Sequence, residues 1–468
     1  MQPTHDISCL PATKLAQLIR DKKISPVELM QACLLRIEKH NSSVNALCTL
    51  SEQAIDEAQK AEKKLFSREE IGPLHGLPLG IKDVTKTKGL RTTFGSPLYA
   101  DYFPCRDALV VNRLKAAGGI VLGKTNTPEF ATGGNTFNEI FGSTRNPWNL
   151  QLSAGGSTGG GAAGLATGMI ALAEGTDLGG SLRIPASFCG VVGLRPSIGL
   201  VPTHPTAFLW DSLQVTGPMA RTAKDVALML EQISGYSSFA PLSQFEEKKS
   251  FVQIVEEGIP RGLKVAYCSD IAGIGIEEQI ENTCRRASFE MSQIDIHVEE
   301  VEIDLAFGRK AFLALRGLWM VVQQFTRLDN LEEFGENLRG NVRSGLLLKA
   351  EELAEAEHIR GKIWEIFQDL LCDFDCFCTP CVAVAPFPVE EKYPQKVAGK
   401  QMKNYVDWFA PTFLLSLTGL PVVSVPCGLD ANGLPIGLQI MGRPREEGLI
   451  LALAQEIQNA HNIGLPLN

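Results

Sequence analysis

Two segments carry side chains whose types and spacing could do chemistry. In Glu174-Gly-Thr-Asp177-Leu178-Gly179-Gly180-Ser181-Leu-Arg-Ile-Pro185 a serine follows two glycines. Glycines let the backbone approach a carbonyl without side-chain obstruction, which suits the Ser181 hydroxyl to nucleophilic attack. The consecutive amides of Leu178, Gly179, Gly180 and Ser181 could converge on the oxygen that becomes charged in that attack. Each such donor is worth roughly 10²–10³ in rate. The plainer alternative is a glycine-rich turn whose serine merely caps something. In Gly76-Leu-Pro-Leu-Gly80-Ile-Lys82-Asp83-Val84 a lysine sits among apolar residues of strand character. Burial would lower its amine from about 10.4 towards neutrality and leave a free base. Taken alone, the segment favours a salt bridge from Lys82 to Asp83 or another carboxylate.

Three glycine-rich matches are weaker. Gly118-Gly-Ile-Val-Leu-Gly123-Lys124-Thr125 fits the phosphate-loop pattern, but a helix precedes it and its middle reads as a strand. Gly159-Gly-Gly161-Ala-Ala-Gly164 fits the dinucleotide fingerprint without an apolar strand before it. Gly155-Gly-Ser157-Thr-Gly159 fits the nucleophile elbow of esterases, which needs a strand running into the serine and a downstream acid and histidine. His204, His297, His358 and His461 are candidates, none in a recognisable setting. This stays as the runner-up chemistry.

Taken together, Gly80-Ile-Lys82-Asp83, Gly155-Gly-Ser157-Thr-Gly-Gly160 and Gly175-Thr-Asp-Leu-Gly-Gly-Ser181-Leu-Arg-Ile-Pro185 strongly resemble the amidase signature family. Further similar segments are Gly123-Lys-Thr-Asn126, Asn146-Pro-Trp-Asn149, Phe188-Cys-Gly-Val-Val-Gly-Leu-Arg-Pro196, and the stretch from Leu420-Pro to Gly442-Arg-Pro444. The likeness covers nearly the whole chain, most loosely at 235–400. It implies a catalytic set of Lys82, Ser157 and Ser181 in an α/β fold, an α/β/α sandwich with a large mixed central sheet covered by helices. Ser181 would attack the carbonyl, and Ser157, on a non-proline cis peptide after Gly156, would relay protons to neutral Lys82. An acyl-enzyme would form and water would release it. No metal or organic cofactor is implied. By the same resemblance Ala131, Thr132, Gly133 and Gly134 line the substrate pocket. Thr158 and Gly161 stand where many members have serine, and Ala154 where many have proline; Thr158 keeps a hydroxyl.

The elements that must position these residues follow from local pattern. Ser25-Pro26-Val27-Glu28 predicts a capped helix start, with Leu29, Cys33, Leu34 and Ile37 at helical spacing. Residues 51–65 read as a solvated helix. Short strands are expected at 77–81, 120–122 and 191–194, with helices at 107–117, 160–172 and 221–235. Long helices follow around 276–292 and 345–372. Strands on either side of Asp430-Ala-Asn-Gly433 form a hairpin. With these elements, the resemblance implies a single amidase signature domain over 1–468, divided into N-terminal helices (1–70), a signature core (72–220), a variable substrate-region insertion (240–400) and a C-terminal return to the core (401–468).

Composition bounds the partners. With 53 acidic against 44 basic residues the chain carries a net charge of −9, which does not favour a nucleic-acid backbone. The uncharged stretches 146–173 and 408–429 are interrupted by Gly, Ser and Pro and read as buried structure, not as membrane spans. The start of the chain, Met1-Gln-Pro-Thr-His-Asp6, lacks the basic and apolar run of a signal peptide, so a cytoplasmic enzyme is expected. Cys372, Cys376, Cys378 and Cys381 contain one lone CxxC and read as small core residues. A small-molecule amide is the expected partner, and a homodimer stays open. The rival reading within the family is the ammonia-generating component of a tRNA-dependent amidotransferase. Against it, Thr127-Pro-Glu-Phe-Ala-Thr-Gly-Gly-Asn135 departs from the Met-Asp-Glu-Phe pattern of those components. Phe312, Trp319, Met320 and Phe325 are candidates for the pocket wall, although aromatics at helical spacing are more often core.

Overall fold

In the computed structural model the described residues are 7–67, 69–245 and 250–466. Residues 1–6, where the absence of a leader was expected, lie outside them. The fold is built on one mixed sheet of eleven strands. In chain order these are β1 (Leu47–Leu50), β2 (Pro78–Lys82), β3 (Ile120–Thr125), β4 (Leu172–Asp177), β5 (Val192–Arg195) and β6 (Val215–Ala220). They continue as β7 (Lys264–Tyr267), β8 (His297–Glu300), β9 (Cys376–Pro380), β10 (Val422–Leu429) and β11 (Pro435–Gly442). Across the sheet the order is β1-β3-β2-β4-β6-β5-β10-β11-β9-β7-β8. Pairing is parallel at β3-β2-β4 and β9-β7-β8 and antiparallel elsewhere. Strands β2 to β6 are buried along their whole length, so apolar and polar residues do not alternate along them, and the charged residues they carry (Lys82, Lys124, Glu174, Asp177 and Arg195) are buried too.

Local chemistry explains the ends of the elements. The helix Pro26–Val44 starts at Ser25, whose Oγ accepts from the Glu28 amide at 3.1 Å while the Ser25 amide donates to Glu28 Oε2 at 2.7 Å. The helix expected over 160–172 is shorter, Gly159–Ala166, because Gly168 turns left-handed (φ 72°) and the chain then enters β4. The hairpin of β10 and β11 closes as expected, with the Gly433 amide donating to the Asp430 carbonyl at 3.0 Å. Of the two uncharged stretches, 146–173 divides among short strands, one eight-residue helix and β4. No helix among the described residues is long and apolar enough to cross a membrane.

The phosphate-loop match is strand β3, and its Lys124 is buried, donating to the Thr85 carbonyl and to Thr87 Oγ1. The dinucleotide match opens the helix Gly159–Ala166, where a Cβ on Gly160 would lie 2.3 Å from the Asn126 amide. These glycines serve helix-to-strand packing. Cys376, Cys378 and Cys381 are buried and Cys372 is exposed. The 240–400 region contributes β7, β8 and β9 to the same sheet, and between β8 and β9 its helix Gly308–Gln324 reaches back to line a pocket beside the end of β4.

Candidate active site

Lys82 ends strand β2, deep in the sheet, and is fully buried. It makes no ion pair among the described residues. Asp83, the carboxylate next to it, instead accepts from the Thr93 amide and hydroxyl. The Lys82 Nζ has three hydroxyl neighbours: Ser157 Oγ at 2.7 Å, Thr158 Oγ1 at 2.9 Å and Thr176 Oγ1 at 3.1 Å. Burial pulls its pKa down to about 7, although the charges of Glu174 and Asp177 oppose the shift. A neutral amine has two N–H donors and one lone pair, so three hydroxyls saturate it when two accept and one donates.

Ser157 follows a cis Gly156–Ser157 peptide, and Thr158 separates it from the helix Gly159–Ala166. Ser181 follows β4 and is only partly buried. The two serine loops are tied together by the Thr158 amide, which donates to the Ser181 carbonyl at 3.1 Å. Below them lies a fully buried clamp. Asp177 accepts from the Gly180 amide at 2.8 Å, the Leu182 amide at 3.1 Å and the Arg183 guanidinium, and it also pairs with Arg195. Burial alone would raise its carboxyl, but Arg183 and Arg195 hold it well below the usual carboxylate range. Gly180 has a left-handed φ of 127°, and a Cβ there would stand 2.4 Å from Thr412 Oγ1. That hydroxyl meanwhile donates to the Gly179 carbonyl at 2.7 Å.

Ser157 and Ser181 line one narrow pocket together with Ala131, Gly133 and Gly134. The loop before them is forced into left-handed backbone at Phe130 (φ 46°) and Ala131 (φ 58°), which turns it towards the serines. Thr132 differs from its neighbours: it is buried, points its hydroxyl at the Phe130 carbonyl and Met320 Sδ, and lines the next cavity instead. Phe312, Trp319 and Met320 form the opposite wall, from the helix Gly308–Gln324. Phe325, one residue past that helix, is 69% exposed and lines no part of this pocket, because the chain turns there. The Gly180 amide is likewise occupied by Asp177, which leaves the amides of Leu178, Gly179 and Ser181 as the donors this loop can still offer.

Sequence reasoning missed Thr176, Gln214, Arg316, Tyr405 and Phe409 in the pocket lining. Thr176 alone had a signal, lying one residue before Asp177 in the serine motif; the others come from distant segments. As for the elbow chemistry, the strand before Ser157 is a peripheral hairpin, Asn149–Ser153, outside the main sheet. Among the described residues no histidine lines the pocket. His204 lines an adjoining cavity, and His297 and His358 are exposed.

A family model described as Amidase matches residues 28–451. The chain belongs to the amidase signature family. This amidase is 34% identical to an acylamidase of Rhodococcus erythropolis, over 97% of this chain and 96% of that one. It is 32% identical to one component of the glutamyl-tRNA(Gln) amidotransferase of Alkaliphilus metalliredigens, over 93% of each. Among solved structures it superposes on a bacterial aryl acylamidase of the same family with a TM-score of 0.90, at 26% identity and 96% coverage of both chains. The enzyme class and the α/β fold expected from the motifs are therefore those of its family.

Proposed function

We propose that this amidase cleaves a carboxylic amide through an acyl-enzyme on Ser181, with Ser157 passing protons to and from Lys82. The observation that carries the reading is the contact of the buried Lys82 Nζ with Ser157 Oγ at 2.7 Å, in a pocket both serines line. With its pKa near 7, a substantial fraction of Lys82 is neutral at neutral pH and can take a proton. As Ser181 Oγ bonds to the carbonyl carbon, its proton moves to Ser157 Oγ and the Ser157 proton moves to Lys82 Nζ. The carbonyl oxygen becomes an oxyanion, stabilised by the amides of Leu178, Gly179 and Ser181. The C–N bond then breaks, and the leaving nitrogen takes back the relayed proton. Water repeats the sequence on the ester, giving the carboxylic acid and free Ser181.

The acylamidase relatives favour acyl and aryl amides as first substrates. The similarity to the amidotransferase component supports a second reading, in which the amide is the ammonia source of a larger assembly. Hydrolysis of simple anilides by the purified chain separates the two: turnover without a partner supports the stand-alone amidase. For the chemistry itself, fluorophosphonate labelling followed by peptide mapping is decisive. A label on Ser181 supports the reading; a label on Ser157 overturns it in favour of the elbow.

A further inference from the structure

Among the described residues lining the Ser157–Ser181 pocket, Arg316 is the only charged side chain. It lies on the helix Gly308–Gln324, is 6% exposed, and forms no ion pair among the described residues. Its guanidinium donates to Asn341 Oδ1 and to the Tyr405 hydroxyl, and stands 5.3 Å from the centre of the Tyr405 ring. All of these are neutral. The buried Arg183 and Arg195, by contrast, share the Asp177 carboxylate. A buried cation with no counter-charge is costly, and a ligand that brings the counter-charge relieves the cost.

The surroundings offer a second donor. The Tyr405 oxygen also accepts from Asn341 Nδ2 at 2.8 Å, so both of its lone pairs are engaged and its own hydrogen is left to donate. An adjoining cavity of about 320 Å³ shares Ala131, Thr176, Gln214 and Trp319 with the pocket, and its charged lining is Lys86 and Arg327, without a carboxylate. Arg327 too is met by neutral groups: Tyr99, the Gln323 carbonyl and Gln324. In a chain of net charge −9 this local excess of cations runs against the whole. The carboxylates on the other side of Arg316, in a cavity of about 920 Å³, do not line the Ser157–Ser181 pocket, and three are already engaged: Glu129 by Ser96 and the Gly335 amide, Glu333 by Asn330 at 2.7 Å, and Glu336 by Lys392 at 3.0 Å.

We propose that the substrate is an amide bearing a carboxylate, which Arg316 and the Tyr405 hydroxyl receive while Ser181 meets the amide carbonyl. This deepens the reading above and rests on it. Arg316 is thus a specificity-determining residue.

The test uses matched amides: the 4-nitroanilides of glutaric and valeric acid, with the charge on the acyl side, and 4-acetamidobenzoate against acetanilide, with the charge on the amine side. The wild-type protein is expected to favour the charged member of at least one pair by about tenfold or more in kcat/KM. Arg316→Met should abolish that ratio, and Arg316→Lys should keep only part of it, since lysine lacks the two-pronged donor. Equal or lower kcat/KM for both charged members in the wild type overturns the proposal, and needs no variant to fold. A preference that survives in Arg316→Met overturns it as well. Fluorophosphonate labelling of Ser181, run on each protein, reports the nucleophile separately, so a failed preference with intact labelling leaves the triad standing.

Discussion

At the scale of single residues, the proposed chemistry rests on the protonation of one amine. Lys82 is fully buried, its Nζ meets three hydroxyls, and its pKa is lowered from 10.5 to about 7. For the free enzyme, kcat/KM should therefore rise with pH through about 7 and then level, as the base loses its proton. Lys82→Ala should reduce amide turnover by roughly 10²–10⁴-fold while circular dichroism stays native. Full activity in that variant would sink the assignment. Thr158 can be probed in the same way: Thr158→Ser keeps a hydroxyl beside Nζ and should keep the pH profile, whereas Thr158→Val should shift its midpoint. The same amine leaves a mark on stability. A folded pKa below the unfolded one means that the unfolded chain binds more protons between about 7 and 10.5. The contribution of Lys82 is thus most unfavourable below pH 7, and it improves with rising pH across that window by on the order of a few kcal/mol. Denaturant titrations of the wild type and Lys82→Met at pH 7 and pH 10 check the sign: the wild type should gain stability relative to the variant at the higher pH.

At the scale of elements, the loop between β4 and the helix Arg183–Cys189 works because it cannot relax. Asp177 holds its amides from below and Thr412 closes it from the side. Asp177→Asn would leave Arg183 and Arg195 without their shared counter-charge, a loss of about 3–5 kcal/mol measured by denaturant unfolding. Gly180→Ala meets both the left-handed backbone and the Thr412 side chain. Overpacking of this kind costs about 1–3 kcal/mol. Displacement of the neighbouring amides should lower kcat more than it raises KM, a split that steady-state kinetics on one anilide reads directly.

At the scale of the molecule, one sheet carries strands from residue 47 to residue 442, and the 240–400 region supplies three of them. That region also provides Phe312, Arg316, Trp319 and Met320 to the pocket. A single folding unit over the chain predicts that tryptophan fluorescence, with Trp148 and Trp319 far apart in sequence, and far-UV circular dichroism lose signal at the same denaturant concentration. Separate transitions would mean that the inserted region folds as its own unit.

Much of this enzyme is set by local sequence. Lys82, Ser157 and Ser181 sit in motifs whose residue types already specify the backbone they need: glycine where φ is positive or a Cβ would clash, threonine beside the amine, aspartate ahead of the turn. The capped helix at Ser25 and the hairpin at Gly433 are legible for the same reason, since each is closed by contacts a few residues apart. What the tertiary structure alone decided is the pocket beyond the serines. Whether Lys82 faced Asp83 or Ser157 depended on strand β2 lying in the sheet beside β4. Thr132 turned towards Met320 of a distant helix, Phe325 turned outward where the chain leaves that helix, and the Gly180 amide was taken by Asp177. Arg316 reached the site only because the helix Gly308–Gln324 folds back onto it, bringing together residues separated by more than a hundred positions along the chain. Short-range steric rules are written in residue type, whereas the pairing of far segments depends on the summed packing of the whole core, which no window of the sequence contains.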